Sequence, residues 1–260
     1  MISSASNPQY RRWLAAREGP ERKQGEILLE GLHLIQAWQA RYGAPVALIL
    51  SSRFKPSVEW INWHERHGGT PEILSEVLFN KLCSLENFAG PIALVNTQQA
   101  LGRAPSSALG DLVYLDRIQD PGNLGTILRC CAALGVKQVA LSPGTVWLWH
   151  PKVLRAGMSA HFALEFFEEY SFESMLALEG FQMIVTSGVA DPSAQSLTKL
   201  NLTQPNLWCF GNEGSGLTPQ ILAAKGAQRS YIPQESSVES LNVGAAVGIC
   251  LYEQYRQRQP

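Results

Sequence analysis

From residue 110 onward, short apolar segments alternate with segments of helical period, and this alternation constrains the fold more than any other feature. Five apolar segments have the length of buried strands: 112–116, 138–142, 183–187, 207–211 and 230–233. Two intervening segments carry apolar residues at a 3.6-residue period, at Leu124, Ile127, Leu128, Cys131 and Leu134 and at Val243, Ala246, Val247, Cys250 and Leu251. This alternation predicts an α/β fold with a mainly parallel sheet covered by helices on both faces.

The first third of the chain predicts a smaller α/β unit. Its expected strands are 26–30, 46–51 and 91–96, and its expected helices are 8–17, 32–41, 57–67 and 75–84. Residues 97–109 contain Gly102, Pro105 and two serines and lack apolar periodicity, so we expect a linker there. The predicted domains are therefore 1–96 and 110–260, and 260 residues leave room for two domains of ordinary size.

Composition narrows the class of protein. The formal net charge is −1, so any affinity for nucleic acid must come from local basic patches. The N-terminus lacks the apolar segment of a secretory signal, and the longest apolar runs are too short to span a bilayer. The five cysteines form no CxxC pair, and His64 and His67 have no evident third ligand. We expect a cytoplasmic protein with reduced thiols, no metal and no membrane contact.

Ligands of parallel α/β sheets bind at the carboxyl ends of the strands, and three loops there are rich in glycine and small polar residues. The first loop follows 112–116 and contains Asn123, with Arg129 on the next helix. Asn123 could serve only as a helix cap, and Arg129, which lies off the apolar stripe, could be a solvated side chain. Local sequence leaves these structural interpretations and a functional one open.

The second loop is the segment Gly211-Asn212-Glu213-Gly214-Ser215-Gly216-Leu217. Its glycines permit positive φ and a close approach of backbone to a ligand. The spacing is not GxGxxG and no phosphate-loop lysine follows, which argues against a dinucleotide or triphosphate site. A tight turn into a helix at Thr218-Pro219 would explain the glycines, but nothing local requires Glu213.

The third loop, 233–243, ends in Ser240-Leu241-Asn242-Val243 and leads into Gly244-Ala245-Ala246. Ser240 and Asn242 could merely cap the final helix. The small residues after them would allow another backbone or a cofactor to approach closely.

Taken together and in this order, the three loops resemble the signature motifs of the SpoU (TrmH-like) family of RNA 2′-O-ribose methyltransferases in the SPOUT superfamily. The matching residues are Asn123-Leu124-Gly125 with Arg129, then 211–217, then Ile232-Pro233 with Ser240-Leu241-Asn242-Val243. Segment 151–156 is similar to a secondary signature, although the serine-rich continuation typical of the family is replaced by Gly157-Met158-Ser159-Ala160.

The resemblance implies a catalytic domain over 110–260 whose parallel sheet ends in a trefoil knot, an arrangement that periodicity does not predict. It also implies S-adenosyl-L-methionine as the cofactor, a homodimer, and methylation of a structured RNA, with rRNA favoured over tRNA. The catalytic residues it implies are Asn123, Arg129, Glu213, Ser240 and Asn242. The cofactor-binding residues it implies are Thr186, Gly211, Asn212, Gly216, Ile232 and Leu241.

For Arg129 we favour an anchoring role on an RNA phosphate, because guanidinium resists deprotonation. Residues 1–96 resemble the substrate-binding domain of the family through Ser6-Asn7-Pro8, Arg22-Lys23 and Leu28-Leu29-Glu30-Gly31. Residues 1–25 carry five basic and two acidic side chains, which by charge alone favours an ordinary polar helix, and it is the resemblance that implies contact with RNA.

Two other functions are weighed against this one. A non-catalytic RNA-binding protein that retains the fold would be expected to lose Asn123, Arg129 or Asn242, and all three are present. A nucleotide-dependent oxidoreductase should show GxGxxG after its first strand, and that motif is missing.

Overall fold

The chain folds into two compact units, residues 1–100 and 101–260. The computed structural model describes residues 1–18, 25–187, 191–235, 237 and 240–259. The boundary falls inside the expected linker. Thr97 belongs to the first unit, where its amide and hydroxyl donate to the carbonyl of Gly25, and Gly102 donates to Phe166 of the second unit.

The first unit is a four-stranded mixed sheet with helices packed on it. Its strands are β1 (Glu26–Glu30), β2 (Ala47–Ser51), β3 (Glu72–Leu74) and β4 (Ile92–Asn96), in the order β1-β4-β2-β3. Its helices are α1 (Pro8–Glu18), α2 (Leu32–Tyr42), α3 (Val58–His67) and α4 (Glu76–Leu82). Strand β4 is antiparallel to β1 and β2, whereas β3 is parallel to β2. All seven predicted elements are confirmed within two residues at each end, and the three-residue β3 was missed because it is too short to show alternation.

The second unit contains a seven-stranded sheet in which every pairing is parallel. Its strands are β5 (Leu112–Asp116), β6 (Gln138–Leu141), β7 (Glu165–Phe167), β8 (Gln182–Ser187), β9 (Gln195–Ser196), β10 (Asn206–Gly211) and β11 (Gln228–Tyr231). The predicted parallel α/β sheet is confirmed. The prediction of 230–233 for the last long strand was wrong at both ends, because the polar Gln228 and Arg229 pair with β8 and the strand ends at Tyr231.

Strand order places a crevice between β5 and β10. The order is β7-β6-β5-β10-β8-β11-β9, so the chain builds outward from β5 through β6 to β7 and then crosses to the other side of β5. Such a switch point, at the carboxyl ends of the strands, is where open α/β sheets bind ligands. The loops after β5 and β10 therefore meet at the position where a site is expected.

The described residues of the second unit form five α-helices: α5 (Pro121–Ala133), α6 (Pro151–Gly157), α7 (Phe172–Leu176), α8 (Pro219–Leu222) and α9 (Val243–Gln257). Helices α5 and α6 approach closely at Gly125, where a Cβ atom would overlap Ala156 and lie 2.8 Å from the carbonyl oxygen of Val153. The glycine of the first motif thus has a packing function. Four of the cysteines are buried free thiols and Cys130 is half-buried.

The far end of α9 is fixed beneath the sheet by buried polar groups. Asp111, which is 5% exposed, accepts hydrogen bonds from Arg258 at 2.6 and 2.9 Å, from Gln254 at 3.0 Å and from the amide of Asn206 at 2.8 Å. The side-chain oxygen of Gln254 accepts from Trp208 Nε1 at 2.7 Å and from Asn206 at 2.9 Å. This network joins the C-terminus of α9 to the amino ends of β5 and β10.

Candidate active site

A cavity of about 580 Å³ lies at the carboxyl ends of β8, β10 and β11, beside the start of α9. Its volume is in the range of small-molecule and cofactor sites. All the predicted site residues except Arg129 line it: Asn123, Thr186, Gly211, Asn212, Glu213, Gly216, Ile232, Ser240, Leu241 and Asn242. The three loops singled out in the sequence therefore meet around one cavity.

Asn123 does not cap its helix, so the capping interpretation of this residue was wrong. Helix α5 begins two residues earlier at Pro121. The side chain of Asp120 caps it by accepting a hydrogen bond from the backbone amide of Asn123 at 2.8 Å. An acidic cap followed by proline at the first helical position is a start signal that the sequence already contained. The side chain of Asn123 is thereby free to act elsewhere.

The side-chain amide of Asn123 connects the first loop to the second and third loops. Its Nδ2 donates to Glu213 Oε1 at 3.0 Å, and its Oδ1 accepts from Asn242 Nδ2 at 2.8 Å. The result is a hydrogen-bonded chain, Asn242 to Asn123 to Glu213, that we call the amide chain. Because both ends of the Asn123 amide are engaged, its orientation is fixed.

Glu213 is held as an anion. Its carboxylate also accepts from the amides of Gln119 and Asp120, at 3.1 Å each, at the N-terminus of α5. Partial desolvation raises the pKa of Glu213, but the hydrogen bonds from Asn123 and from backbone amides outweigh it, so the pKa lies below its usual value. A carboxylate with a lowered pKa and several donors orients other groups and is a poor proton acceptor.

Glycines shape the wall of the cavity at the second loop. The backbone amide of Asn212 donates to the Gly216 carbonyl at 3.1 Å, and the backbone amide of Gly216 donates to the Asn212 carbonyl at 2.9 Å. A Cβ atom at Gly211 would overlap the backbone of Gly216 and Leu217, and Gly216 itself has φ +67°. The side chain of Asn212 closes the turn by accepting from Gly214 and Ser215. The turn interpretation is confirmed, and the same turn leaves backbone facing the cavity.

At the third loop, Asn242 is the cap of α9. Its Oδ1 accepts from the amides of Gly244 at 2.9 Å and Ala245 at 3.3 Å, while its Nδ2 continues the amide chain. Gly244 allows the close approach of α5, since a Cβ atom there would lie 3.0 Å from Thr126 Cγ2. Capping is thus confirmed for Asn242, and this side chain also contributes to the site.

Ser230 is a residue of the cavity that sequence reasoning missed. It is 1% exposed, it pairs with Thr186 across β11 and β8, and its hydroxyl has no hydrogen-bond partner among the described residues. The neighbouring Thr186 hydroxyl donates to the Cys209 carbonyl at 3.0 Å. A buried hydroxyl without a partner in a polar cavity is a group that a bound ligand can satisfy. No local sequence signal distinguishes it from an ordinary strand serine.

Arg129 is not brought into the cavity. It is exposed on α5 and forms no hydrogen bond or ion pair with any residue in the described part of the chain. Six residues along a helix correspond to about 9 Å and a rotation of about 240° from Asn123, which accounts for the separation. The geometry fits the solvated-face interpretation of this residue, and its predicted catalytic role is not supported by contacts within one chain.

Neither a metal-binding cluster nor a membrane-spanning helix occurs among the described residues. Among the described residues, no group of three or more His, Cys, Asp or Glu side chains is arranged to hold a metal ion. No helix in the described ranges has the length and apolar character needed to cross a bilayer.

A cavity at the carboxyl ends of a parallel sheet, lined by glycine-rich loops, is typical of α/β ligand-binding proteins, and comparison identifies the family. The model of the SpoU rRNA Methylase family matches residues 111–252. The chain is 33% identical to an uncharacterized tRNA/rRNA methyltransferase of Synechocystis sp., over 99% of this chain and 94% of that protein. It is 27% identical to the 23S rRNA (guanosine(2553)-2′-O)-methyltransferase RlmP of Bacillus subtilis, over 96% and 97% of the two chains.

A solved structure has the same fold. The crystal structure of an AdoMet-bound rRNA methyltransferase from Sinorhizobium meliloti matches with a TM-score of 0.79 at 24% identity, over 100% of this chain and 98% of that one. The chain belongs to the SpoU rRNA methylase family, so it is an enzyme of the methyltransferase class. The family assignment confirms the resemblance and excludes the oxidoreductase alternative.

Proposed function

We propose that the chain transfers the methyl group of S-adenosyl-L-methionine to a ribose 2′-hydroxyl of a structured RNA, with rRNA as the first candidate and tRNA as the second. The observation that carries this proposal is the amide chain, which places a fixed Asn123 amide at the rim of a cavity suited to a cofactor. The names of the two relatives, a tRNA/rRNA methyltransferase and a 23S rRNA methyltransferase, support RNA as the substrate.

The cavity fits the cofactor in two respects. Gly211 and Gly216 line it without side chains and so let a ligand approach the backbone, and the buried hydroxyl of Ser230 lacks a partner among the described residues. S-adenosyl-L-methionine, once bound, supplies an activated methyl group on a sulfonium. The protein is therefore required mainly to position the ribose hydroxyl and to assist loss of its proton.

The residues of the amide chain perform the positioning. Asn242 fixes the Asn123 amide from one side and the Glu213 anion fixes it from the other, so Asn123 presents a preorganised polar group to the ribose. Glu213 does not accept the proton, because its pKa is lowered and its oxygens are already engaged. Arg129 anchors an RNA phosphate, and Ser240 lies at the rim of the cavity for contact with the substrate.

Homodimerisation is part of the proposal. Helix α9 exposes Ile249, Tyr252 and Tyr255, each more than 40% accessible, and an apolar groove along it includes Ala245 and Gly248. Ile232 lines both this groove and the cofactor cavity. A second copy seated on α9 would cover this apolar surface and would place the subunit interface beside the site.

Three further features complete the proposal. The sheet of 110–260 is threaded as a trefoil knot, residues 1–96 bind the RNA, and the enzyme works in the cytoplasm. In α1, Arg11 and Arg17 are available to RNA, whereas Arg12 forms an ion pair with Glu26. The predicted cues Arg22 and Lys23 lie outside the described residues.

The test has two stages. Calorimetry should show binding of S-adenosyl-L-methionine and of its demethylated product. Mapping of 2′-O-methylated positions in total RNA, with and without the protein, should then reveal the modified nucleotide. Absence of cofactor binding, with RNA present or absent, would refute the proposal. RNA binding without methyl transfer would favour the non-catalytic alternative.

A further inference from the structure

The first unit contains a second cavity, of about 500 Å³, that shares no residue with the candidate active site. It lies between one stripe of α2 and one stripe of α3, at helical spacing. The stripe of α2 comprises Gln36, Gln39 and Ala40, followed by Gly43 just after the helix, and the stripe of α3 comprises Glu59, Asn62, Trp63, Arg66 and His67. Most of these residues are exposed, so the cavity is an open polar groove on the surface of the unit, and Trp63 is its buried member.

Several of these polar groups lack a partner within the described part of the chain. The side-chain oxygen of Gln39 is buried and unpaired, which is unfavourable for an amide unless a ligand or water satisfies it. Glu59 accepts one hydrogen bond, from Gln36 at 3.1 Å. Arg66 donates only through Nε, to the Asn62 carbonyl at 2.8 Å, which leaves its terminal nitrogens free. The cavity thus offers acceptors from Gln39 and Glu59 and donors from Arg66 and Asn62.

The cavity also has a fixed aromatic plane. Trp63 is 5% exposed, and the ring of His67 lies 5.2 Å from it at an interplanar angle of 33°. His67 Nδ1 donates to the Trp63 carbonyl at 2.8 Å, which holds the exposed imidazole in place. The exposed ring of His67, beside these donors and acceptors, offers a stacking surface for an unstacked RNA base.

We propose that this cavity binds a guanine base of the RNA substrate. Guanine presents two adjacent N–H donors, at N1 and N2, beside the O6 acceptor. The donors match the oxygens of Glu59 and Gln39, and O6 matches the side chains of Asn62 and Arg66. A bare phosphate is a poor occupant, since the Glu59 carboxylate repels it. The inference rests on the proposed function, from which RNA is taken as the substrate.

Titration of the full chain with GMP, IMP and AMP tests the inference. The cofactor cavity is first filled with S-adenosylhomocysteine, and binding is followed by chemical-shift changes in the ¹⁵N-labelled protein. GMP should bind more tightly than IMP, which lacks the 2-amino group, and AMP should bind least. Glu59→Gln should weaken GMP binding about ten-fold and abolish the preference for GMP over IMP. Asn62→Ala should weaken GMP binding as a second variant.

Glu65→Gln is the matched control, because Glu65 is an exposed carboxylate on the same helix that does not line the cavity. Equal binding of GMP and AMP, or equal effects of the Glu59 and Glu65 variants, would overturn the inference. With unmodified large-subunit rRNA, Glu59→Gln should raise the RNA concentration at half-maximal rate and leave the rate at saturation unchanged. A wild-type protein that prefers GMP but transfers no methyl group would refute the proposed function and support the guanine site.

Discussion

The two ends of helix α9 are held by different kinds of chemistry. At its start, Asn242 caps the helix and continues into the amide chain at the rim of a cavity, where Asn242 and Glu213 are exposed and Asn123 is half-buried. At its far end, Gln254 and Arg258 converge on Asp111, which is 5% exposed. One helix therefore connects a solvated polar chain at the carboxyl edge of the sheet to a buried polar network at the amino edge.

The buried end of α9 is therefore expected to contribute mainly to the stability of the fold, and the end at the cavity mainly to the reaction. Burial makes each hydrogen bond of the Asp111 network hard to replace, because a polar group that loses its partner there cannot form a hydrogen bond with water instead. At the cavity, water or a ligand can replace a lost partner, so a substitution there should change the reaction more than the fold. The comparison predicts a gradient of effects on unfolding from one end of α9 to the other.

The largest effect on stability is expected at the buried end. Asp111→Ala removes the acceptor of Arg258, Gln254 and the Asn206 amide together, and breaking a buried pair of this kind costs about 3 kcal/mol or more. Urea unfolding should show this loss of free energy, with cofactor affinity retained in the folded fraction. Arg256→Ala is the control, since Arg256 pairs only with Glu253 at the surface and should leave the unfolding midpoint unchanged. Equal midpoints for wild type and Asp111→Ala would contradict the comparison.

The two ends also differ in how far the sequence could predict them. The glycine-rich and asparagine-containing loops signalled the cavity, because short-range spacing fixes which residues share a strand end. Asp111 gave no signal, since its partners Gln254 and Arg258 lie more than 140 positions away and only the tertiary fold brings them together. Short elements such as β9 were missed for a related reason, because two residues show no periodicity.

Within the site, sequence identified the residues but not their connections. Asn242 and Glu213 can orient the Asn123 side chain because Asp120, and not Asn123, caps α5. The Asp120-Pro121 pair is a helix-start signal in the sequence, but the motif match drew attention to Asn123 instead. Ser230 was missed because its burial and its unpaired hydroxyl are properties of the assembled cavity. Arg129 matched the motif, yet helical rotation turns it away from Asn123, so a motif position alone does not establish a contact.

The cavity end should show the opposite balance of effects. Asn123→Asp replaces the amide that donates to Glu213 with a second carboxylate, so the two side chains repel and the orientation is lost. Single-turnover methyl transfer should fall about 100-fold, the scale expected for misplacement at a reacting centre. The free energy of unfolding should change far less than in Asp111→Ala, and calorimetric binding of S-adenosylhomocysteine should persist. A rate within a factor of two of wild type would remove Asn123 from the mechanism.

The smallest effect, and the one that depends on pH, concerns Glu213. Glu213→Gln keeps the shape but replaces one oxygen by an NH₂ group, so the side chain loses its negative charge and can accept from only one of the backbone amides of Gln119 and Asp120. Because the side chain is exposed, the loss of stability at pH 7 should be only about 1 kcal/mol.

The sign of the pH dependence follows from the lowered pKa of Glu213 in the folded protein. The carboxylate stabilises the fold fully above its unfolded pKa, near 4.5, and this contribution disappears as pH falls through the lower folded value. Wild type and Glu213→Gln should therefore differ in unfolding free energy at pH 7 and pH 5 and converge toward pH 3. A difference that persists undiminished at pH 3 would show that the carboxylate charge is not what joins the second loop to the start of α5.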